Sequence, residues 1–276
     1  LRRIFDRLSG RSLIVPVDDG LIFGPTAGLL SMPAALDEIL AGEPNGLLAF
    51  PGIYRRYGDR LDPAGWIVNV SASTQLSEHT RKTLVGTVED ALGLGADCVA
   101  AHVNVTSQNE REMLHALGLV ATTCRLLHVP LLAIMYPRRE GIDGDDNYYD
   151  MKAADPRAFA RLVQHSVRVG MELGADVIKT QYTGTRDTFA RVVEAAQPVP
   201  IVTAGGRLQS TVAALGCAED AIAAGARGIS FGRNVFSRRD RTAMIRALGA
   251  IVHRNATAAD ALKEFAPTDE LVEPQA

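Results

Sequence analysis

The feature that most narrows the fold of this 276-residue chain is a sustained alternation of two kinds of segment. Short, near-continuous apolar runs occupy 12–17, 46–50, 66–70, 97–102, 130–136, 176–180, 199–204 and 227–232. Amphipathic stretches such as 107–127, 155–173, 185–196, 209–224 and 239–252 lie between them. A strand that is apolar on both faces must be covered on both faces, and helices returning between successive strands give that cover and make the strands parallel. Gly95-Ala96, Gly174-Ala175 and Gly225-Ala226 stand just before strands, where a helix needs its C-cap glycine. Eight strands with intervening helices is the count of a (β/α)8 TIM barrel, here one α/β domain over 1–265. A doubly wound sheet competes, but no GxGxxG turn follows the first strand. The 51–65 connection is short and rich in Pro and Gly, which predicts an abbreviated helix. The acidic, proline-containing segment 266–276 reads as a loosely ordered tail.

Composition removes several function classes. Hydrophobic residues make up 47% of the chain, enough for a large core, and the formal net charge is −3 with basic residues scattered. Neither feature suits a nucleic-acid partner. No apolar run approaches the roughly 20 residues of a membrane span, and the opening does not read as a signal peptide. Cys98, Cys124 and Cys217 are odd in number and lie in apolar or helical contexts, as small residues of a reducing compartment do; cytoplasm is the expectation. The six histidines are dispersed, so neither a zinc site nor any other metal or cofactor is expected.

In a barrel, the carboxyl ends of the strands converge on one mouth, and active sites form there. Those ends carry Asp18-Asp19-Gly20, Ser71-Ala72-Ser73-Thr74, His102-Val103-Asn104, Tyr136-Pro137-Arg138, Lys179, Gly205-Gly206-Arg207 and Gly232-Arg233-Asn234. Glycines at the last two turns let backbone N–H groups approach an anion ahead of a helix N-terminus, and these two loops are the usual phosphate position of the fold. Gly205, Gly206, Arg207, Gly232 and Arg233 are therefore the candidate phosphate residues. Only four of the 29 basic residues are lysines. Lys82, Lys152 and Lys263 lie in polar stretches and read as solvated, whereas Lys179 closes an apolar run. An isolated lysine of that kind more often packs its stem and sends its ammonium to water. Beside two phosphate turns it reads instead as a desolvated amine, a nucleophile toward carbonyls. A shift from about 10.4 to neutrality requires an environment that disfavours the ammonium by roughly 4 kcal/mol. Tyr136 then suits a proton shuttle and Asp18 a proton acceptor in the carbinolamine steps, although taken singly one is a core tyrosine and the other a helix cap. An ionised Asp18 in direct contact would oppose the lysine's shift, so Asp18 is expected at some distance or itself shifted. Asp19, Ser73, His102 and Asn104 are candidates for further substrate contacts. A catalytically silent sugar-phosphate-binding barrel is the reading from another class, but a binder requires neither the lysine nor the tyrosine.

Seven segments spread over nearly the whole chain carry a resemblance: LRRIFDRLSGRSLIVPVDDG, SASTQLS, AHVNV, AIMYPR, ADVIKTQYTG, VPIVTAGG and AGARGISFGRNVFSRRD. Together they resemble the archaeal-type class I fructose-bisphosphate aldolase family, Lys-dependent (β/α)8 barrels that assemble into homo-oligomers, often decamers. The resemblance implies a Schiff base on Lys179, Tyr136 as proton donor and acceptor, Asp18 assisting, and phosphate held by Gly205, Gly206, Gly232 and Arg233. It implies a phosphorylated sugar substrate, with dihydroxyacetone phosphate as donor in a fructose-bisphosphate-aldolase-like reaction. The alternative is a synthase of the amino-dideoxyheptulosonate or aminohydroxybenzoate-precursor type, which condenses a ketose-phosphate-derived unit with aspartate semialdehyde. Two departures stand out: Asp19 where many members have histidine, and Thr106 where many have glycine. Loss of that histidine removes a donor beside the polar end of the substrate and weakens the case for a second phosphate. The acidic stretch 139–150 follows Tyr136 and is read as a solvated loop placed to act as a lid; its Asp143-x-Asp145 start lacks the glycine and glutamate of a calcium loop.

Overall fold

A computed structural model describes residues 1–140 and 148–272. The strands β1 (Ser12–Pro16), β2 (Gly46–Ala49), β3 (Gly65–Asn69), β4 (Cys98–Val105), β5 (Leu131–Pro137), β6 (Val177–Gln181), β7 (Ile201–Ala204) and β8 (Gly228–Ser230) coincide with the eight apolar runs. They pair in parallel, each with its sequence neighbours, and β8 returns to β1 to close the barrel. Closure leaves no sheet edge to protect.

Strand parity divides the core in two. Ile14, Leu48, Ile67, Cys98, Ala100, Leu132, Ile134, Val177 and Val202 fill the barrel interior, with Ile4 packed among them. The alternate residues, such as Leu13, Val15, Val99, Ala101, Ala133 and Ile178, pack outward against the helices. The helix Pro156–Glu172 shows how that layer is specified. Asp155 caps it by accepting from the Arg157 and Ala158 amides, and Pro156 supplies the φ of the first turn. It then buries Phe159, Val163, Val167 and Gly170 along one stripe. Complete burial of Phe159 contributes about 1.5–3 kcal/mol. The connection after β2 holds the short helix Pro51–Tyr57 and a 3-10 turn, Gly58–Arg60, in line with its Pro/Gly content.

The structure departs from the sequence expectations in three places. A small antiparallel ladder joins Ser71–Ala72 to Thr83–Leu84 and folds 73–82 back over the barrel mouth. The stretch read as one solvated loop, 139–150, lies in part outside the described residues, but from Tyr148 it forms the helix Tyr148–Ala154. The segment read as a loose tail is bonded to the barrel between Thr268 and Val272. Arg238, 1% exposed, donates to Asn234 O, Gln209 O, Thr268 O and Asp269 Oδ1, and Asp269 also accepts from Thr211. A buried guanidinium needs its full set of acceptors, and this segment supplies two of them. Among the described residues no helix is long and apolar enough to cross a membrane. Arg238→Met is expected to lower the unfolding free energy by about 2–4 kcal/mol, because several carbonyls lose a charged donor. Urea denaturation measures it, and a change below about 0.5 kcal/mol would show that the docked segment adds nothing.

Candidate active site

The parity that fills the barrel also aims its last inward residues at the mouth. Asp18 follows Ile14 and Pro16 by steps of two, His102 follows Cys98 and Ala100, Tyr136 follows Leu132 and Ile134, and Lys179 follows Val177. These four line one cavity with Asp19, Gly205, Gly206, Gly232 and Arg233.

Lys179 is 7% exposed and, among the described residues, its side-chain amine makes no hydrogen bond or ion pair. Burial lowers its pKa below the ordinary lysine value of 10.5, the negative charges of Asp18 and Asp19 raise it, and Arg233 lowers it again. No hydrogen bond or ion pair joins Asp18 to the ammonium, yet its field reaches it, so the opposition foreseen from sequence acts at a distance. Asp18 precedes the short helix Asp19–Phe23 but forms no capping bond with its side chain; it accepts from Asn69 Nδ2 at 3.1 Å instead. Tyr136 stands on the neighbouring strand, two residues beyond Ile134, the register partner of Lys179. Its ring packs edge-on against His102, 4.9 Å between centroids at 77°, with the Arg138 guanidinium 5.7 Å away. Burial pushes the His102 pKa well below its ordinary value, and the charges of Lys82, Arg138 and Lys179 push it further. Its imidazole is thus neutral at pH 7, a donor or acceptor rather than a cation.

On the opposite side, the Gly205-Gly206 and Gly232-Arg233 turns frame a recess of the same cavity. Gly206 has φ +69°, and a Cβ there would lie 2.2 Å from the Tyr149 hydroxyl, so only glycine fits. The Arg233 Nε lies 3.6 Å from Asp19 Oδ2, which fills the position of the family's histidine with an ion-pair partner. Ser230, unremarked in the sequence, presents to this recess a buried hydroxyl with no hydrogen-bond partner among the described residues.

Three proposed site residues are not in the cavity wall. Asn104 is fully buried and donates to Thr80 O at 2.7 Å. Ser73 donates to His79 O and accepts from Lys82 Nζ at 2.7 Å, so it supports the mouth from behind. Arg207 is exposed and lies over the Tyr149 ring, 4.5 Å from its centroid. In exchange, the structure brings in Lys82, His79 and Arg138, each about 5% exposed. Lys82 was expected in solvent. Arg138 Nη1 donates to His79 Nε2 at 2.9 Å, so His79 is the neutral member of a wall in which Lys82 and Arg138 carry the positive charge, across from the glycine turns. Among the described residues no group of three or more His, Cys, Asp or Glu side chains converges as a metal set. Thr106, in place of the family glycine, adopts φ +78°, a costly conformation for a β-branched residue.

The family model for DeoC/LacD family aldolases matches residues 12–238. The chain belongs to that family. Among curated members it is 39% identical over 247 residues to a 2-amino-3,7-dideoxy-D-threo-hept-6-ulosonate synthase from Halobacterium salinarum, covering 89% of this chain and 88% of the relative. It is 36% identical over 264 residues to a 2-amino-4,5-dihydroxy-6-oxo-7-(phosphonooxy)heptanoate synthase from Streptomyces griseus, covering 93% and 90%. Among solved aldolase structures, an archaeal fructose 1,6-bisphosphate aldolase superposes with a TM-score of 0.80 at 28% identity, over 91% of this chain and 97% of the other. A second such structure, TM-score 0.79 at 28% identity and the same coverage, holds the carbinolamine intermediate on its catalytic lysine.

The charges around Lys179 set the sign of a pH effect. The acid limb of kcat/KM in this aldolase barrel is expected below the ordinary lysine value. Asp18→Asn, which removes a charge that favours the ammonium, moves the limb to lower pH; Arg233→Gln moves it to higher pH. A pH–rate profile for each variant checks the two directions, and shifts of opposite sign would rule out Lys179 as the titrating group.

Proposed function

We propose that this chain is a class I aldolase that forms a Schiff base between Lys179 and dihydroxyacetone phosphate and joins the donor to aspartate semialdehyde. The observation that carries this reading is the buried amine of Lys179 facing a glycine-framed anion recess across one cavity. The donor phosphate binds backbone N–H groups of the two turns, Arg233 and Ser230, which sets the donor ketone over Lys179 Nζ. The neutral amine adds to C2 to give a carbinolamine, and loss of water leaves the iminium; Asp18 accepts and returns protons in these steps. The iminium draws electron density from C3, Tyr136 removes a C3 proton, and the enamine forms. The enamine carbon attacks the acceptor aldehyde, Tyr136 returns its proton to the new alkoxide, and water hydrolyses the iminium to release product and restore the amine. No step calls on a metal or organic cofactor.

The acceptor assignment is supported by the two synthases, whose identity to this chain exceeds that of the archaeal aldolases. A second reading, reversible cleavage of fructose 1,6-bisphosphate to dihydroxyacetone phosphate and glyceraldehyde 3-phosphate, is favoured by the cations Lys82 and Arg138 on the far wall, which suit a second phosphate. Direct assay separates them. Consumption of dihydroxyacetone phosphate should be faster with aspartate semialdehyde than with glyceraldehyde 3-phosphate; the reverse order would favour the second reading. Lys179→Arg should have no turnover with either acceptor, and Tyr136→Phe should lose about 10²–10⁴ in kcat. Turnover retained in Lys179→Arg would rule out both.

A further inference from the structure

A side chamber opens off the mouth, and the Schiff-base scheme makes no use of it. It abuts the central cavity along Tyr148 and the Gly205-Gly206 turn, and Gln181, Lys152 and Tyr182 form its inner wall. Gln181 ends β6 two residues beyond Lys179, on the same side of the strand and about 6.6 Å farther out. It is 2% exposed, yet among the described residues neither its Nε2 nor its Oε1 has a hydrogen-bond partner. Buried amides are nearly always satisfied, so one left open at both ends marks a place where another molecule belongs. Lys152 Nζ donates to Tyr182 O at 3.2 Å and lies 5.8 Å from the Tyr182 ring centroid. An ammonium has three donors, and this contact uses one of them.

We propose that this chamber binds the amino-acid end of the acceptor aldehyde: Gln181 Oε1 accepts from the α-ammonium, and Gln181 Nε2 and Lys152 Nζ donate to the α-carboxylate. The proposal rests on the aldolase reading above and deepens it by naming an α-amino-acid aldehyde as the acceptor class. The chemistry of Gln181 selects that class. A bare phosphate or carboxylate satisfies Nε2 and leaves Oε1 open, a bare amine does the reverse and meets Lys152, and a zwitterion satisfies both ends. Asp220 lines the same chamber, but it accepts from the Tyr182 hydroxyl at 3.2 Å and is paired with Arg186, so the ammonium relies on Gln181 Oε1.

L-Homoserine, the alcohol of aspartate semialdehyde, keeps the amino-acid end and cannot undergo the aldol step. Calorimetric titration should show saturable binding of L-homoserine to the wild-type protein and to Lys179→Ala. Gln181→Leu and Lys152→Met should each weaken it by about tenfold or more, the loss expected for hydrogen bonds to charged groups. Gln181→Leu should unfold at or above the wild-type temperature, since it removes an unpaired buried amide; weaker binding in a variant of undiminished stability is a result that a merely structural glutamine would not give. Absence of saturable binding to the wild type, or affinity unchanged in both variants, would overturn the proposal. Homoserine binding never passes through the Schiff base, so failure of the aldolase reading shows separately, as wild-type protein that binds homoserine and turns over neither acceptor.

Discussion

The mouth is organised around the cost of placing one ammonium where water is scarce. Lys179 sits at the top of a closed, apolar barrel interior, and burial alone favours its neutral form. Asp18 and Asp19 pull the other way, and Arg233, itself beside Asp19, restores part of the balance. A charged group in such a place must be paired or must give up its proton, and here the carboxylates act through their field without a direct bond to the amine. The barrel makes this arrangement rigid: strand parity places each of these side chains at its own end, and the helix layer behind them holds the strands in register.

Around that amine the mouth is polarised. The glycine turns and Ser230 offer uncharged donors beside Arg233, a setting suited to the phosphate of the proposed donor. Across from them, burial keeps His102 neutral, and the charges of Lys82 and Arg138 act in the same direction. Tyr136 lies between the two, against a neutral imidazole on one side and a guanidinium on the other.

Much of this was legible in the sequence because it depended on local rules. All eight strands were readable as continuous apolar runs, since strands covered on both faces need no polar alternation. Lys179 and Tyr136 were readable because an apolar run that ends in a functional group points it at the mouth. The misreadings share a cause, namely that long-range contacts decide where a side chain goes. Lys82 lies in a polar stretch, EHTRK, and nothing local announces the ladder that folds it over the barrel. Asn104 has the parity of a mouth residue, but the same folded-back segment covers it and takes its amide. Arg207 directly follows Gly205 and Gly206, yet stacks on Tyr149, a residue nearly 60 positions away. The acidic segment near the end looked like a solvated tail because composition cannot register that Arg238, buried 30 residues earlier, needs its acceptors.

The central claim is that Lys179 is a covalent nucleophile, and reductive trapping tests it most directly. The protein is incubated with dihydroxyacetone phosphate, reduced with borohydride and mapped by peptide mass. The account predicts a single reduced donor adduct on the peptide that contains Lys179, and none on Lys82, which lines the same cavity. An adduct on Lys82, or none anywhere while the enzyme turns over, would contradict it.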